Sequence, residues 1–250
     1  FSAYEWLEKN KPVQLYISAA ALALAVLSKG PVALALPGLC LLLWIAMARK
    51  WRVAFSLHLL PAFLLFAAIA TPWYFMTHKA TNGAWTKGFF IDNNLNRFSD
   101  TMEGHGGFFL LPLVFVLMGL LPFMIFIGEV FRYRQKIFKY PLVLFAGIVV
   151  AVFIIFFSLS KTKLPNYPMP CYAFVSIILG TCLSGIFNRV FTVKKYAYYI
   201  LLAVMLAIPV AGYFATQQEE ALKPFSWYCL LLLPAVLIIL YSLVRRKNTK

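Results

Sequence analysis

Eight apolar runs divide this chain, falling near residues 13–28, 31–48, 53–71, 108–127, 141–159, 166–186, 196–215 and 226–244. A helix needs roughly 20 apolar residues to cross a bilayer, so the pattern predicts about eight transmembrane helices joined by short links. Ser28-Lys29-Gly30-Pro31 separates the first two runs. Proline cannot continue a helix and glycine permits a turn, so this is a hairpin tip. The pattern lapses at length once, between Thr71 and Gly107. That interval holds Trp73, Tyr74, Trp85, Phe89 and Phe90, too many aromatic residues for a disordered tether. It is expected to be an ordered loop at the membrane surface that lines a site.

Composition turns this pattern into a class. The 250 residues are 62% hydrophobic and 12% charged, with mean hydropathy +0.81. A soluble domain is about half apolar and about a quarter charged. The fold class is therefore all-α integral membrane, read as a single transmembrane domain over residues 1–250. Residues 1–11 show neither an initiator methionine nor a signal-peptide pattern, so the chain reads as the C-terminal part of a longer protein. A net charge of +15 would suggest nucleic acid in a soluble protein, but basic flanks of membrane helices explain it here. With residues 1–12 in the cytoplasm, eight crossings put 16 of the 23 Lys and Arg residues inside and 7 outside. That bias follows the positive-inside rule. It places the 28–31 tip, the 71–107 segment and the 158–168 link on the outer face. The four cysteines lie in or beside apolar runs without a C-x-x-C pair and read as small core residues.

The candidate chemistry lies in those three outer segments. Lys29 has no acid near it in sequence and could hold an anion at the interface, or simply snorkel there. Ser158 to Pro168 sets Lys161, Lys163 and Tyr167 against a proline-rich helix entry, where an aromatic-belt tyrosine with flanking lysines is the plainer reading. Arg97 follows Asn93-Asn94-Leu95-Asn96, and a guanidinium suits bidentate phosphate binding. Glu103-Gly104-His105-Gly106-Gly107 offers an acid and an imidazole, or a flexible helix entry. The histidines are too scattered to argue for zinc, and nothing firmly implies a cofactor; a divalent metal is left open.

Five of these segments together resemble the bacterial GT-C membrane glycosyltransferases, the aminoarabinose (lipid A) transferases and protein mannosyltransferase-like enzymes. Leu27-Ser28-Lys29-Gly30-Pro31 resembles their Leu-Thr-Lys-Gly-Pro. Thr71-Pro72-Trp73-Tyr74 resembles a Pro-Trp-Tyr loop entry, and Asn93 to Phe98 resembles Glu-His-x-x-Arg-Phe. Glu103 to Gly107 resembles Glu-Gly-His-x-Gly, and Phe157 to Tyr167 resembles Phe-Ser-x-Ser-x-x-Lys-Leu-Pro-x-Tyr. The motifs stand in family order over roughly residues 20–185.

The resemblance implies transfer of a sugar from a polyprenyl phosphate to a lipid A-like or protein acceptor, at the periplasmic face of the bacterial inner membrane. It implies that Lys29, Arg97, Lys163 and Tyr167 bind the donor phosphate, with Lys161, Glu103, His105, Trp73 and Tyr74 as further lining. Asn93-Asn94 departs from the family's acid-imidazole pair. The family's catalytic Asp lies upstream of every matching motif, so the base is expected upstream of Phe1, with Asp92 and Glu103 as substitutes on the polar segment. A flippase or transporter of lipid-linked sugars is the competing reading. It should carry charges along a path through the bilayer, and mid-helix charges are lacking. No internal repeat of the inverted-transporter kind is evident.

Overall fold

The structure, a computed structural model, describes residues 1–101 and 106–238, apart from the side chains of Ala54, Asn93, Leu95, Arg97 and Lys195. The described residues contain helices and turns and no strand. Lipid offers the backbone no hydrogen bonds, so a spanning segment must satisfy its own. The helices are α1 (Ser2–Lys9), α2 (Pro12–Lys29), α3 (Val32–Met47), α4 (Leu59–Ala80), α5 (Ala84–Lys87) and α6 (Arg97–Ser99). Then follow α7 (Leu111–Gly119), α8 (Ile127–Arg132), α9 (Arg134–Ile137), α10 (Pro141–Leu159), α11 (Met169–Phe187) and α12 (Lys195–Thr216).

Every predicted run contains helix where it is described, but the count of eight spans is not reproduced by length. Five helices are long and apolar enough to cross a membrane, namely α2, α4, α10, α11 and most of α12. A sixth span forms only if α7 and the stretch Phe123–Arg132 are joined across their break, where Pro122 interrupts the ladder. The other two runs fold as the shorter α3 and Lys223–Ile238. α3 has 16 residues, about 24 Å at 1.5 Å per residue. Lys223–Leu231 is wound as a tight 3₁₀ helix. The eighth run extends past residue 238, outside the described residues. The long apolar helices make this a multi-pass membrane protein. Their outward side chains, such as Phe63, Phe75 and Ile155, are more than half exposed, as lipid-facing residues are.

One further expectation needs correction, and one helix lies outside the predicted runs. The 71–107 segment is not a loop from its first residue. α4 continues through Pro72 to Ala80, and Gly88–Asn96 forms a π-helical stretch between α5 and α6. Pro72 was a misleading stop signal, because membrane helices tolerate proline where neighbours satisfy the freed carbonyl. Residues 2–9, which precede the first apolar run, fold as a packed helix. α1 buries Tyr4, Trp6 and Leu7, and Tyr4 stacks on Phe145 at 4.8 Å between centroids. Trp44 Nε1 donates to Glu8 Oε1 at 3.1 Å, and Lys50 Nζ donates to the same carboxylate at 2.7 Å.

The residues fall into two compact units, Phe1–Val116 with Phe138–Ile177, and Leu117–Ile137 with Ile178–Lys250. In the first unit the helix ends sort into two groups. α1, the end of α3 and the start of α10 meet through Tyr4, Trp44 and Phe145. Tyr16 of α2 meets His58 before α4 at 3.0 Å, and Tyr74 of α4 donates to the Val26 carbonyl at 2.7 Å. α2 and α4 thus run parallel, as two crossings apart in an alternating topology require. In the second unit Tyr133 stacks on Phe191 at 4.3 Å and pairs with Thr192, tying the residues after α8 to the link before α12.

Candidate functional site

The first unit encloses a cavity of about 1350 Å³. Its body is apolar, walled by Leu36, Phe145, Val149 and Phe153 from α3 and α10. One end carries Phe1, Ser2 and Ala3 of the α1 region. The other end carries Ser28, Lys29, Asn94, Ser160, Asn166 and Tyr167. The cavity therefore passes from an apolar interior to a polar mouth with a cation on its rim.

The mouth is built by three segments distant in sequence. Gly30 ends α2 with φ +74°, a conformation that favours glycine. Its missing side chain also leaves room for the polar segment, since a Cβ there would lie 2.7 Å from Asn94 Nδ2 and 3.0 Å from Phe89. Asn94 is fixed by a 2.7 Å bond from Nδ2 to the Phe89 carbonyl. Phe89 stacks on Trp85 at 4.8 Å. The 158–168 link is stitched to the same segment. Lys161 donates its backbone N–H to the Phe98 carbonyl at 3.0 Å, and Thr162 Oγ1 donates to the Asp100 carbonyl at 2.7 Å. Phe157 packs on Tyr167 at 4.9 Å, which sets the phenol at the mouth.

Of the site residues expected from sequence, Lys29 and Tyr167 line the cavity. Lys29 is exposed and has no ion pair among the described residues. Lys163 stands just behind the mouth, 8% exposed, with its Nζ donating to the Ser160 carbonyl at 2.6 Å. No carboxylate among the described residues pairs with it. Lys161 instead points outward, 4.0 Å from the exposed Asp100. Tyr74 is spent on the Val26 carbonyl, and Trp73 is exposed on α4; neither lines the cavity. Asp92 is exposed, accepts from Asn96 Nδ2 at 3.0 Å and does not line the cavity either. Arg97 opens α6 beside the cavity-lining Phe98, but its side chain is outside the description, as are Glu103 and His105 altogether. Among the described residues no group of three or more His, Cys, Asp or Glu side chains could hold a metal ion.

Sequence reasoning did not foresee the roles of Asn94, Ser160 and Asn166 in the mouth. Asn94 occupies the position of the family's imidazole, which was the available signal. It also missed α1 at the far end, whose Tyr4 and Leu7 sit three apart on one helical face.

No protein-family model matches the chain. A protein of Aquifex aeolicus, described only as uncharacterized, is 35% identical over 201 residues, covering 80% of this chain and 44% of its own. The undecaprenyl phosphate-alpha-4-amino-4-deoxy-L-arabinose arabinosyl transferase of Shewanella sediminis is 25% identical over 244 residues, covering 90% of this chain and 42% of its own. The crystal structure of ArnT from Cupriavidus metallidurans, bound to undecaprenyl phosphate, superposes with a TM-score of 0.68 at 23% identity. It covers 94% of this chain and 42% of that one. The chain is similar in sequence to aminoarabinose arabinosyl transferases. It has the membrane GT-C fold of ArnT and spans less than half the length of these relatives.

Proposed function

We propose that this chain is the donor-binding part of a glycosyltransferase that moves a sugar from a polyprenyl phosphate to a lipid A-like or protein acceptor. The supporting observation is the cavity itself, an apolar body ending in a polar mouth with Lys29, Asn94 and Tyr167. A long isoprenoid tail gains from burial in the apolar part, and a phosphate needs donors and cations at the end. The sugar's anomeric carbon exchanges its bond to the phosphate oxygen for a bond to the acceptor oxygen. The acceptor hydroxyl gives its proton to a carboxylate base, and the phosphate leaves with added negative charge. Lys29, Arg97 and Lys163 stabilise that charge as it grows, and Tyr167 donates a hydrogen bond to it. Glu103 and His105, on the polar segment that follows Arg97 in sequence, complete the substrate lining in this reading. The mouth faces the periplasm of a bacterial inner membrane.

The test uses the full-length protein with a saturating polyprenyl-linked sugar. Lys29→Gln removes the charge from an exposed side chain, so folding is expected to be unchanged while turnover falls. A charge-assisted contact is worth roughly 1.5–3 kcal/mol, or about one to two decades in rate. Arg97→Lys should also slow turnover, since an ammonium cannot reproduce the guanidinium fork, and Arg97→Ala should slow it further. Wild-type turnover per folded molecule in all three variants would remove the phosphate-binding reading. Translocation of the lipid-linked sugar in vesicles without transfer would instead make the protein a transporter.

Orientation is checked separately by labelling single cysteines in intact cells. Position 103 is expected to react from outside and position 135 only after permeabilisation. The reverse result would turn the mouth toward the cytoplasm.

A further inference from the structure

A second, smaller cavity of about 420 Å³ lies within the second unit, lined by Ile125, Gly128, Glu129, Arg132, Lys194, Tyr196 and Ala197. Its chemistry differs from that of the large cavity. Glu129 is 9% exposed, and its Oε2 atom has no hydrogen-bond partner among the described residues. Arg132 Nη1 stands 3.6 Å away, close enough for attraction but beyond a hydrogen bond. A buried carboxylate oxygen left without a donor is costly, so this position calls for a cationic or hydrogen-bonding group.

Two cations border the same notch. Arg132 is half exposed and lies over the Tyr133 ring, with its guanidinium carbon 5.3 Å from the centroid. Lys194 is exposed, with Nζ 5.8 Å from the Tyr196 centroid. Arg132 has only the long 3.6 Å pair with Glu129, and Lys194 has no ion pair among the described residues, so both can turn to an anion. The notch is also held rigid. Tyr133 stacks on Phe191 and exchanges hydrogen bonds with Thr192 at 3.0 Å, which fixes the Arg132 side of the notch to the Lys194 side.

A ligand that matches this arrangement carries an ammonium for Glu129 and a phosphate for Arg132 and Lys194. Its volume exceeds what a bare phosphate requires and falls in the range of small-ligand sites, about 300–1,000 Å³. The neighbourhood indicates where such a ligand comes from. Phe131, Phe187 and Val190 are 64%, 74% and 63% exposed, the pattern of side chains that lie against acyl chains. We propose that this notch binds the headgroup of an aminophospholipid, phosphatidylethanolamine in kind, with the ammonium on Glu129 and the phosphodiester between Arg132 and Lys194. Phosphatidylcholine offers the same phosphodiester but no N–H, so Glu129 discriminates between the two.

The full-length protein, delipidated and then exposed to equal amounts of phosphatidylethanolamine, phosphatidylcholine and phosphatidylglycerol, is assayed by native mass spectrometry for retained lipid. Phosphatidylethanolamine is expected to be retained over phosphatidylcholine by roughly tenfold, the size of one charge-assisted hydrogen bond. Glu129→Gln should remove that preference. Lys194→Gln, at an exposed position that folding does not require, should weaken retention of both zwitterionic lipids and keep their ratio. Equal retention of the two by the wild type overturns the proposal without reference to any variant. So does a preference that survives Glu129→Gln. Retention of phosphatidylglycerol above phosphatidylethanolamine would make the notch a basic patch for anionic lipid. Displacement of the lipid by equimolar soluble phosphoethanolamine would make it a solute site, and either result overturns the assignment.

Discussion

Gly30→Ala is expected to destabilise the full-length protein and to damage turnover in the molecules that remain folded. Two independent penalties meet at this residue. Its φ of +74° with ψ of −160° lies in a region that L side chains rarely enter, which costs on the order of 1–3 kcal/mol. The added Cβ would also stand 2.7 Å from Asn94 Nδ2, so the polar segment must move away from the hairpin tip. Asn94 lines the cavity mouth, and its shift would loosen the bond to the Phe89 carbonyl and displace the frame around Lys29. A combined loss of roughly 3 kcal/mol or more follows when strain and overpacking add. Gly38→Ala is the control. It sits inside α3, where an added Cβ meets nothing within 4 Å, and alanine there should be neutral or stabilising by up to about 1 kcal/mol. Thermal unfolding in detergent and turnover per folded molecule decide the matter. Equal behaviour of the two variants would mean that the tip and the polar segment are not locked together at Gly30.

The helical membrane fold was legible because the bilayer allows so few alternatives. An apolar run of sufficient length has to become a helix, and the runs at 141–159 and 166–186 correspond to α10 and α11 within a few residues. The misreadings share a cause, which is that local signals were overridden by neighbours. Pro72 looked like a stop, yet α4 continues through it. Residues 2–9 lie outside every apolar run, yet Tyr4 finds Trp44 and Phe145 from other helices. The span count suffered similarly at Pro122, where one apolar run breaks into two pieces. In the site, Lys29 and Tyr167 were legible as cations and aromatics in motif context. The Asn94 contact with Gly30 was not, because residues 64 apart meet only through the path of α4 and the π-helical stretch. The contrast between Lys161 and Lys163 was equally hidden. They stand two residues apart in a polar link, and only the fold turns one outward to Asp100 and the other inward to Ser160.

That inward turn makes Lys163→Met an expected case of stability traded against activity. Lys163 is 8% exposed and its Nζ has the Ser160 carbonyl as its hydrogen-bond acceptor. A neutral carbonyl does not offset the cost of removing a cation from water, and no carboxylate among the described residues shares the burden. Methionine has nearly the same length and adapts to irregular space. Replacing a buried charge by a well-fitting apolar side chain is often neutral or stabilising, by about 1–4 kcal/mol. Thermal unfolding of the variant should therefore be unchanged or shifted upward. Turnover should move the other way, because the departing phosphate loses a cation from a nearly dry position beside Gly107. Truncating one member of a buried charge pair costs about 2–5 kcal/mol, equivalent to roughly one and a half to three and a half decades in rate. The loss should fall on turnover more than on donor affinity, since the charge on the phosphate grows as the sugar leaves. A lysine kept only for packing predicts the opposite pair of results, lowered stability with near-normal turnover in the surviving protein. Measuring both quantities on one preparation separates a cation held in place for an incoming anion from one that merely fills space.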